Sequence, residues 1–503
     1  MCTYIVCVRT QTKQEKMSAA ADTETIETSG TARAGDPAAR RRWIALAVLA
    51  VAQFMVFLDE TVVNVALPSI KGDLGFSQSS LAWVVNAYIL TFGGLLLLGG
   101  RIADLFGRRR VFLIGTAIFG VASLVDGLAG SEGMLLGARA VQGVGAALAT
   151  PAALSLVTAL FPPGPVRTKA LAMWGALSGL GFAIGVLLGG VVTEIASWRW
   201  VFLINVPFAA ATLAIVPRLI ADSRVVGRGF DLPGAAAVTA GMTTLVYTVL
   251  ETTDYGWGSA ETHAGFGAAF VLLATFAMVQ RRSATPLIPA GFVHRRATLV
   301  PNMLQMFLGA TLISTFFLLT LYIQQVLGYT PLEAGFAYLP LAAAVASATA
   351  VAQRLMPRFG PRPIVAAGLG IASVGLVVLS RAPVAGDYLT DVLPALLPVG
   401  FGAGLSFPSI TTAALARVDE DAAGLASGLL STAAQIAGAL AIAILVAVVS
   451  ERSSDLIGSG SAPLAAQVGG FQLAFMIAAG VAQLASLVAM FALPKGKAAT
   501  GAS

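Results

Sequence analysis

The sequence predicts an all-α integral membrane protein of fourteen transmembrane helices. Three observations carry that reading: the composition, the spacing of the apolar runs, and the side on which the basic residues fall. Of 503 residues, 57% are hydrophobic and only 11% charged, whereas a soluble chain is roughly one quarter charged. Mean hydropathy is +0.83. No polar stretch between residues 43 and 493 is long enough to form a soluble domain. Cys2 and Cys7 precede the first apolar run, and His263 and His294 fall in loops, so the interior offers no disulfide, no cysteine-bound metal and no histidine shuttle.

Taken in order, residues 1–42 are polar, have no apolar period, and are expected to be a disordered cytoplasmic tail without a signal peptide. Met17 opens a stretch that reads as a natural start. Each following apolar run of about 20 residues can cross a bilayer as a helix. Run 43–67 carries the adjacent acids Asp59 and Glu60. Run 81–99 leads into a basic loop, from which 111–130 departs, and 134–160 follows. Runs 171–193 and 200–217 lie either side of SWRW. Run 234–250 follows DLPG, and 264–280 ends at Arg281 and Arg282. Run 299–323 follows Arg295 and Arg296, 333–353 comes next, and 364–382 follows the loop ending in GPRPI. Runs 392–413, 425–449 and 468–493 complete the set. With both ends of the chain cytoplasmic, 22 basic residues fall in inside segments, against Lys71, Arg199, Arg381 and Arg452 outside. That is the positive-inside bias of a multi-pass membrane protein. The net charge of +6 is therefore topology and not a nucleic-acid footprint.

An internal repeat divides the chain. The loop GGRIADLFGRRRV, Gly99 to Val111, follows the second run, and QRLMPRFGPRPI, Gln353 to Ile364, follows the tenth, with Gly107 and Gly360 in register and Asp104 opposite Pro357. The expected organisation is a six-helix bundle over 43–217, a linker with two extra helices over 218–298, a second six-helix bundle over 299–493, and a cytoplasmic tail over 494–503.

Gly100, Asp104, Gly107, Arg108 and Arg109 resemble the G-x-x-x-D-x-x-G-R-[RK] loop of the major facilitator superfamily. LDETVVNVALP (Leu58 to Pro68), RAVQGVGAA (Arg139 to Ala147), SWRWVFLINVPF (Ser197 to Phe208), FDLPG (Phe230 to Gly234) and AGLASGLL (Ala423 to Leu430) are similar to segments of its fourteen-helix drug:proton antiporters. The resemblance implies a major facilitator fold of two six-helix bundles plus two central helices. It further implies proton-coupled efflux of lipophilic drugs or an endogenous metabolite by alternating access. It also makes the basic loop a cytoplasmic gate, in which Asp104 docks against a basic group or helix N-terminus of the other half. One departure lies in the fifth span, where G-P-x-x-G-G is usual and this chain has Gly185, Val186, Gly189 and Gly190. A proton-coupled importer on the same fold is the alternative, and a receptor or scaffold a more distant one.

An ionised Asp near the middle of a membrane helix costs roughly 2.5–3.5 kcal/mol, so Asp59 marks a candidate site. Asp59 lies eight residues before Leu67, and Arg139 five after Met134. At 1.5 Å per residue both sit about 8–12 Å below the same boundary and can face each other. Glu60, rotated about 100° from Asp59, must look towards another helix or the outer mouth. The three residues are expected to couple protons to transport, with a static pair bracing two spans as the other reading. Asn64, Asn86, Tyr88, Gln142 and Gln305 are candidate cavity-lining residues, with hydrogen bonding to neighbouring helices as the equal alternative. Asp126 and Glu194 are expected at solvated outer helix ends, with a vestibule that attracts cations as the alternative. No nucleotide-binding loop, metal cluster or soluble catalytic domain is present, so no enzyme activity, metal or cofactor is expected, only the proton gradient as energy source. The expected partners are a small lipophilic substrate, protons and lipid, with no nucleic acid. The expected location is a bacterial cytoplasmic membrane, with the chain acting as a monomer.

Overall fold

The computed structural model describes residues 37–161, 164–222, 231–283, 286–287, 296–416, 418 and 423–494. Among them there is no strand, and each of the fourteen expected spans has its helix. The first seven are α1 (Pro37–Leu74), α2 (Gln78–Phe106), α3 (Arg108–Gly127), α4 (Glu132–Leu160), α5 (Pro165–Ile195), α6 (Arg199–Leu219) and α7 (Leu232–Tyr255). The others are α8 (Ala260–Arg282), α9 (Arg296–Val326), α10 (Pro331–Phe359), α11 (Pro361–Leu379), α12 (Tyr388–Leu415), α13 (Ala423–Gly458) and α14 (Pro463–Ala492). Thirteen are long and apolar enough to cross a membrane over their described residues; α5 contributes the apolar segment Ile184–Ile195.

Local chemistry sets the ends. Ser77 caps α2 in a capping box with Ser80, Ser131 caps α4, Asp231 accepts from the Gly234 amide at 2.9 Å, and Thr330 and Glu333 form a second box ahead of α10. Breaks have local causes too. The helix of α6 is interrupted at Ile204, and α10 at Tyr338. Pro207 and Pro340 follow within three residues and cannot donate to the preceding turn.

Two sequence expectations need correction. The tail expected over 1–42 lies outside the described residues up to 36, but 37–42 are already helical. Pro37 suits a first helical turn, and Ala38, Ala39 and Arg40 to Arg42 are strong helix formers. The tail expected over 494–503 is outside the described residues beyond Leu493 and Pro494. The basic loop expected over Gly99 to Val111 contracts to Gly107, because α2 continues to Phe106 and α3 begins at Arg108.

The repeat is visible in the backbone. Gly107 and Gly360 both take positive φ, 106° and 72°, at the same junction of the two halves. α3 crosses α4 where a Cβ on Gly145 would lie 2.5 Å from the Phe119 amide and one on Gly115 2.7 Å from that of Ala149. α11 crosses α12 at the matching place, where a Cβ on Gly402 would lie 2.7 Å from the Ala372 amide. Both contacts need bare backbone, the usual basis of close helix packing in lipid. α2 also packs on α4, α10 on α12, and α9 on α13. α7 lies against both α2 and α13. Its partner α8 leaves Phe270 and Val271 exposed, an apolar surface for lipid to cover.

At the arginine-poor end, elements of the two halves touch. Gln324, in the wider π turn that ends α9, donates to the Val65 carbonyl of α1 at 2.8 Å. A Cβ on Gly190 of α5 would meet the Pro331 carbonyl of α10 at 2.5 Å.

Candidate functional site

Asp59 and Arg139 meet in a site closed to solvent, at 0% and 1% exposure. The guanidinium Nη1 donates to Asp59 Oδ2 at 2.6 Å, and Nε donates to the Val84 carbonyl of α2 at 2.9 Å. Gln142, one turn along α4, accepts from the same Nη1 and donates to Asp59 Oδ1 at 2.8 Å. Asn205, at the restart of α6, donates to that oxygen at 2.8 Å. Asp59 therefore receives three donors from two helices. Aromatic rings flank the cation, with the guanidinium carbon 4.4 Å from the centre of Tyr88 and 5.6 Å from that of Phe202. An ion pair taken out of water needs such additional bonds to offset desolvation. The same arrangement makes the pair sensitive to a proton: neutral Asp59 would release the guanidinium from its strongest partner.

Glu60 points elsewhere, as its angular offset requires. Gln435 of α13 donates to Glu60 Oε1 at 3.0 Å, so one acid of α1 faces α4 while its neighbour faces the other half. Glu60 stays partly exposed in mid-span.

Several expected cavity residues do not line open space. Asn86, Tyr88 and Gln142 are fully buried, and Asn64 and Gln305 nearly so. Tyr88 and Gln142 belong to the Asp59 cluster, and the Asn64 amide donates to the Glu60 carbonyl of its own helix at 2.9 Å. Their polarity in an apolar run marks them for the interior, but orientation around the helix decides between cavity and cluster. Asp126 also departs from expectation: it has no exposure, whereas Glu194 is exposed as foreseen.

The fifth-span glycines are contact points. A Cβ on Gly185 would collide with the Thr61 hydroxyl, and one on Gly189 would lie 2.8 Å from the Val62 carbonyl, so α5 lies directly on α1 beside the ion pair. Val186, in the place where proline is usual, is buried, and its carbonyl would lie 3.1 Å from a Cβ on Gly335 of α10.

The basic loop is tied to its own half. Asp104 accepts from Arg108 Nε at 3.2 Å and does not dock on the second half among the described residues. Its neighbours converge on Asp222, just past α6: the Arg109 amide donates to it at 3.2 Å, Arg110 pairs with it at 3.2 Å, and Arg109 Nη1 donates to the Ile220 carbonyl at 3.0 Å. Asp222 was not foreseen; the only signal is an acid at the end of a span bordered by basic residues. Gly107 sits against it, so that a Cβ there would be 2.7 Å from the carboxylate oxygens, whereas one on Gly100 would make an ordinary 3.6 Å contact. Gly107→Ala should therefore lower stability by about 1–3 kcal/mol through its positive φ, while Gly100→Ala should not. Thermal unfolding of the two solubilised variants checks this, and equal midpoints would refute it.

With this geometry in place, the comparisons are specific. A sequence profile described as Major Facilitator Superfamily matches residues 49–442. The puromycin resistance protein of Streptomyces alboniger is 40% identical over 462 residues, covering 89% of this chain and 91% of that one. The cephamycin export protein of Amycolatopsis lactamdurans is 40% identical over 415 residues, covering 82% and 85%. Among solved structures, a bacterial homologue of the human lysosomal transporter Spinster, inward-facing and unoccupied, superposes with a TM-score of 0.64 at 18% identity, covering 91% of this chain and 97% of that one. At that identity the likeness speaks for the fold.

Proposed function

The chain belongs to the major facilitator superfamily, and from that premise we propose that it exports a small lipophilic antibiotic or an endogenous metabolite in exchange for protons. The observation that carries the coupling is the enclosed Asp59–Arg139 pair. A carboxylate beside a guanidinium favours the ionised form, and the same carboxyl in apolar surroundings without it favours the neutral form, so a site that alternates between the two alternates its proton affinity. Proton binding at Asp59 releases Arg139 and with it the contact between α1 and α4. Proton loss restores them. Glu60, which faces Gln435 across the two halves, couples that change to the substrate side. The chain works as a carrier and not as an enzyme, without a cofactor and as a monomer, since one polypeptide contains both halves. It lies in the cytoplasmic membrane, with the arginine-rich end and both termini inside. On that orientation the contacts of Gln324 with Val65 and of Gly190 with Pro331 close the outer end. Relatives named for resistance and export support the outward direction over import.

The test uses inverted vesicles with an imposed proton gradient followed by a pH-sensitive dye. Lipophilic cations and neutral antibiotics, puromycin and a cephamycin among them, are added in turn. At least one compound should dissipate the gradient in vesicles that contain the protein and not in empty ones. No response from any compound, with correctly inserted protein, overturns proton-coupled export of this substrate class.

A further inference from the structure

Asp126, near the end of α3, is a fully buried acid that the ion-pair chemistry leaves unused. It has no exposure, and neither carboxyl oxygen has a hydrogen-bond partner among the described residues. A carboxylate without a single donor in such surroundings is far costlier than the neutral acid.

Its position is set by helix register. Gln142 Nε2 of α4 donates to Ser123 Oγ of α3 at 2.8 Å, which puts those two residues at one level. The helices are antiparallel, so three residues further along α3 and three residues back along α4 bring Asp126 level with Arg139, about 4.5 Å nearer the arginine-poor end. The charges that bear on Asp126 are the Arg139 guanidinium and the Asp59 carboxylate. From the third element packed here, Arg199 at the start of α6 is held elsewhere: it pairs with Asp73 at 2.6 Å and donates to the Ala129 carbonyl at 3.2 Å. α2 brings to Arg139 the Val84 carbonyl, which accepts from Nε at 2.9 Å, and the ring face of Tyr88. The guanidinium is thus level with the Asp126 carboxyl by register and is bonded to Asp59.

We infer that Asp126 is a second proton-carrying carboxyl and the alternate partner of Arg139. When Asp59 binds a proton, the guanidinium turns to Asp126, which releases its own. The exchange conserves charge and protons: an ionised Asp59 with a neutral Asp126 becomes a neutral Asp59 with an ionised Asp126, and Arg139 remains a cation throughout. This inference rests on the proposed proton exchange but is tested without any substrate.

The readout is infrared difference spectroscopy of the purified full-length protein in lipid, in which a protonated carboxyl without hydrogen bonds gives a high-frequency carbonyl stretch. The wild type should show that band at neutral pH. Asp126→Asn, nearly isosteric with the neutral acid, should remove it, and Asp126→Glu should retain it at a shifted position. In Asp59→Asn the freed guanidinium should claim Asp126, and the band should vanish. A wild type without the band, or an Asp126→Asn variant that keeps it, overturns Asp126 as a proton carrier. Persistence of the band in Asp59→Asn overturns the exchange of partners. Were Asp126→Asn misfolded, the Glu variant and the Asp59→Asn spectrum would still decide. The vesicle assay fails or succeeds independently of these spectra, which separates this inference from the function on which it rests.

Discussion

Asp59→Asn should abolish gradient-driven transport while leaving downhill movement of the same compound measurable. The amide keeps the size of the carboxyl and can accept one bond from Arg139, but it cannot take up and release a proton. In proteoliposomes the variant should match empty vesicles when a proton gradient is the sole driving force, and should still equilibrate a compound down its own gradient. Retention of gradient-driven accumulation would place the coupling elsewhere. Loss of both activities in a well-folded protein would assign Asp59 to binding or packing, as in a static brace.

Arg139→Ala should do greater harm, and to the fold as well as to function. Removing one member of a buried pair typically costs about 3–5 kcal/mol because the other charge is left uncompensated. Here the loss also strands the Val84 carbonyl, one acceptor of Gln142, and the faces of Tyr88 and Phe202. Asp59→Leu combined with Arg139→Met should recover much of that stability while remaining inactive in exchange. A double-mutant cycle by thermal unfolding reads the coupling between the two residues directly. If the double variant is as unstable as Arg139→Ala alone, the cost comes from lost packing and not from the stranded charge.

Much of this architecture was legible in the residues. The apolar runs mark fourteen helices, and counting along α1 and α4 places Asp59 and Arg139 at a common depth, where they are bonded. Depth, however, is only one coordinate. Which way a side chain points around its helix depends on the crossing of neighbours, and those crossings are set by glycines such as Gly115 and Gly145, whose partners lie on another helix. For that reason polarity alone left Tyr88 and Gln142 open between cavity wall and interhelical bonding, and they are part of the ion-pair cluster. Asp126 read as a solvated helix end for a related reason: the start of α6, which covers that end through Leu203 and the Arg199 carbonyl beside Gly127, cannot be placed by hydropathy. Asp222 lies beyond the last turn of a span, where polarity is ordinary and carries no signal of its own.

The ion pair also constrains how the protein is made. Its two members emerge from the ribosome 80 residues apart, on the first and fourth helices, and each is expensive to leave alone in lipid. Until α4 arrives with the complementary charge, the Asp59 carboxyl is cheapest as the neutral acid. α2 and α3, which supply the Val84 carbonyl and Ser123, are synthesised in that interval. The first half thus has a natural checkpoint at its fourth helix: a nascent chain stopped before Arg139 carries an unanswered acid in its first span, a mark by which quality control can distinguish an unfinished transporter from a finished one.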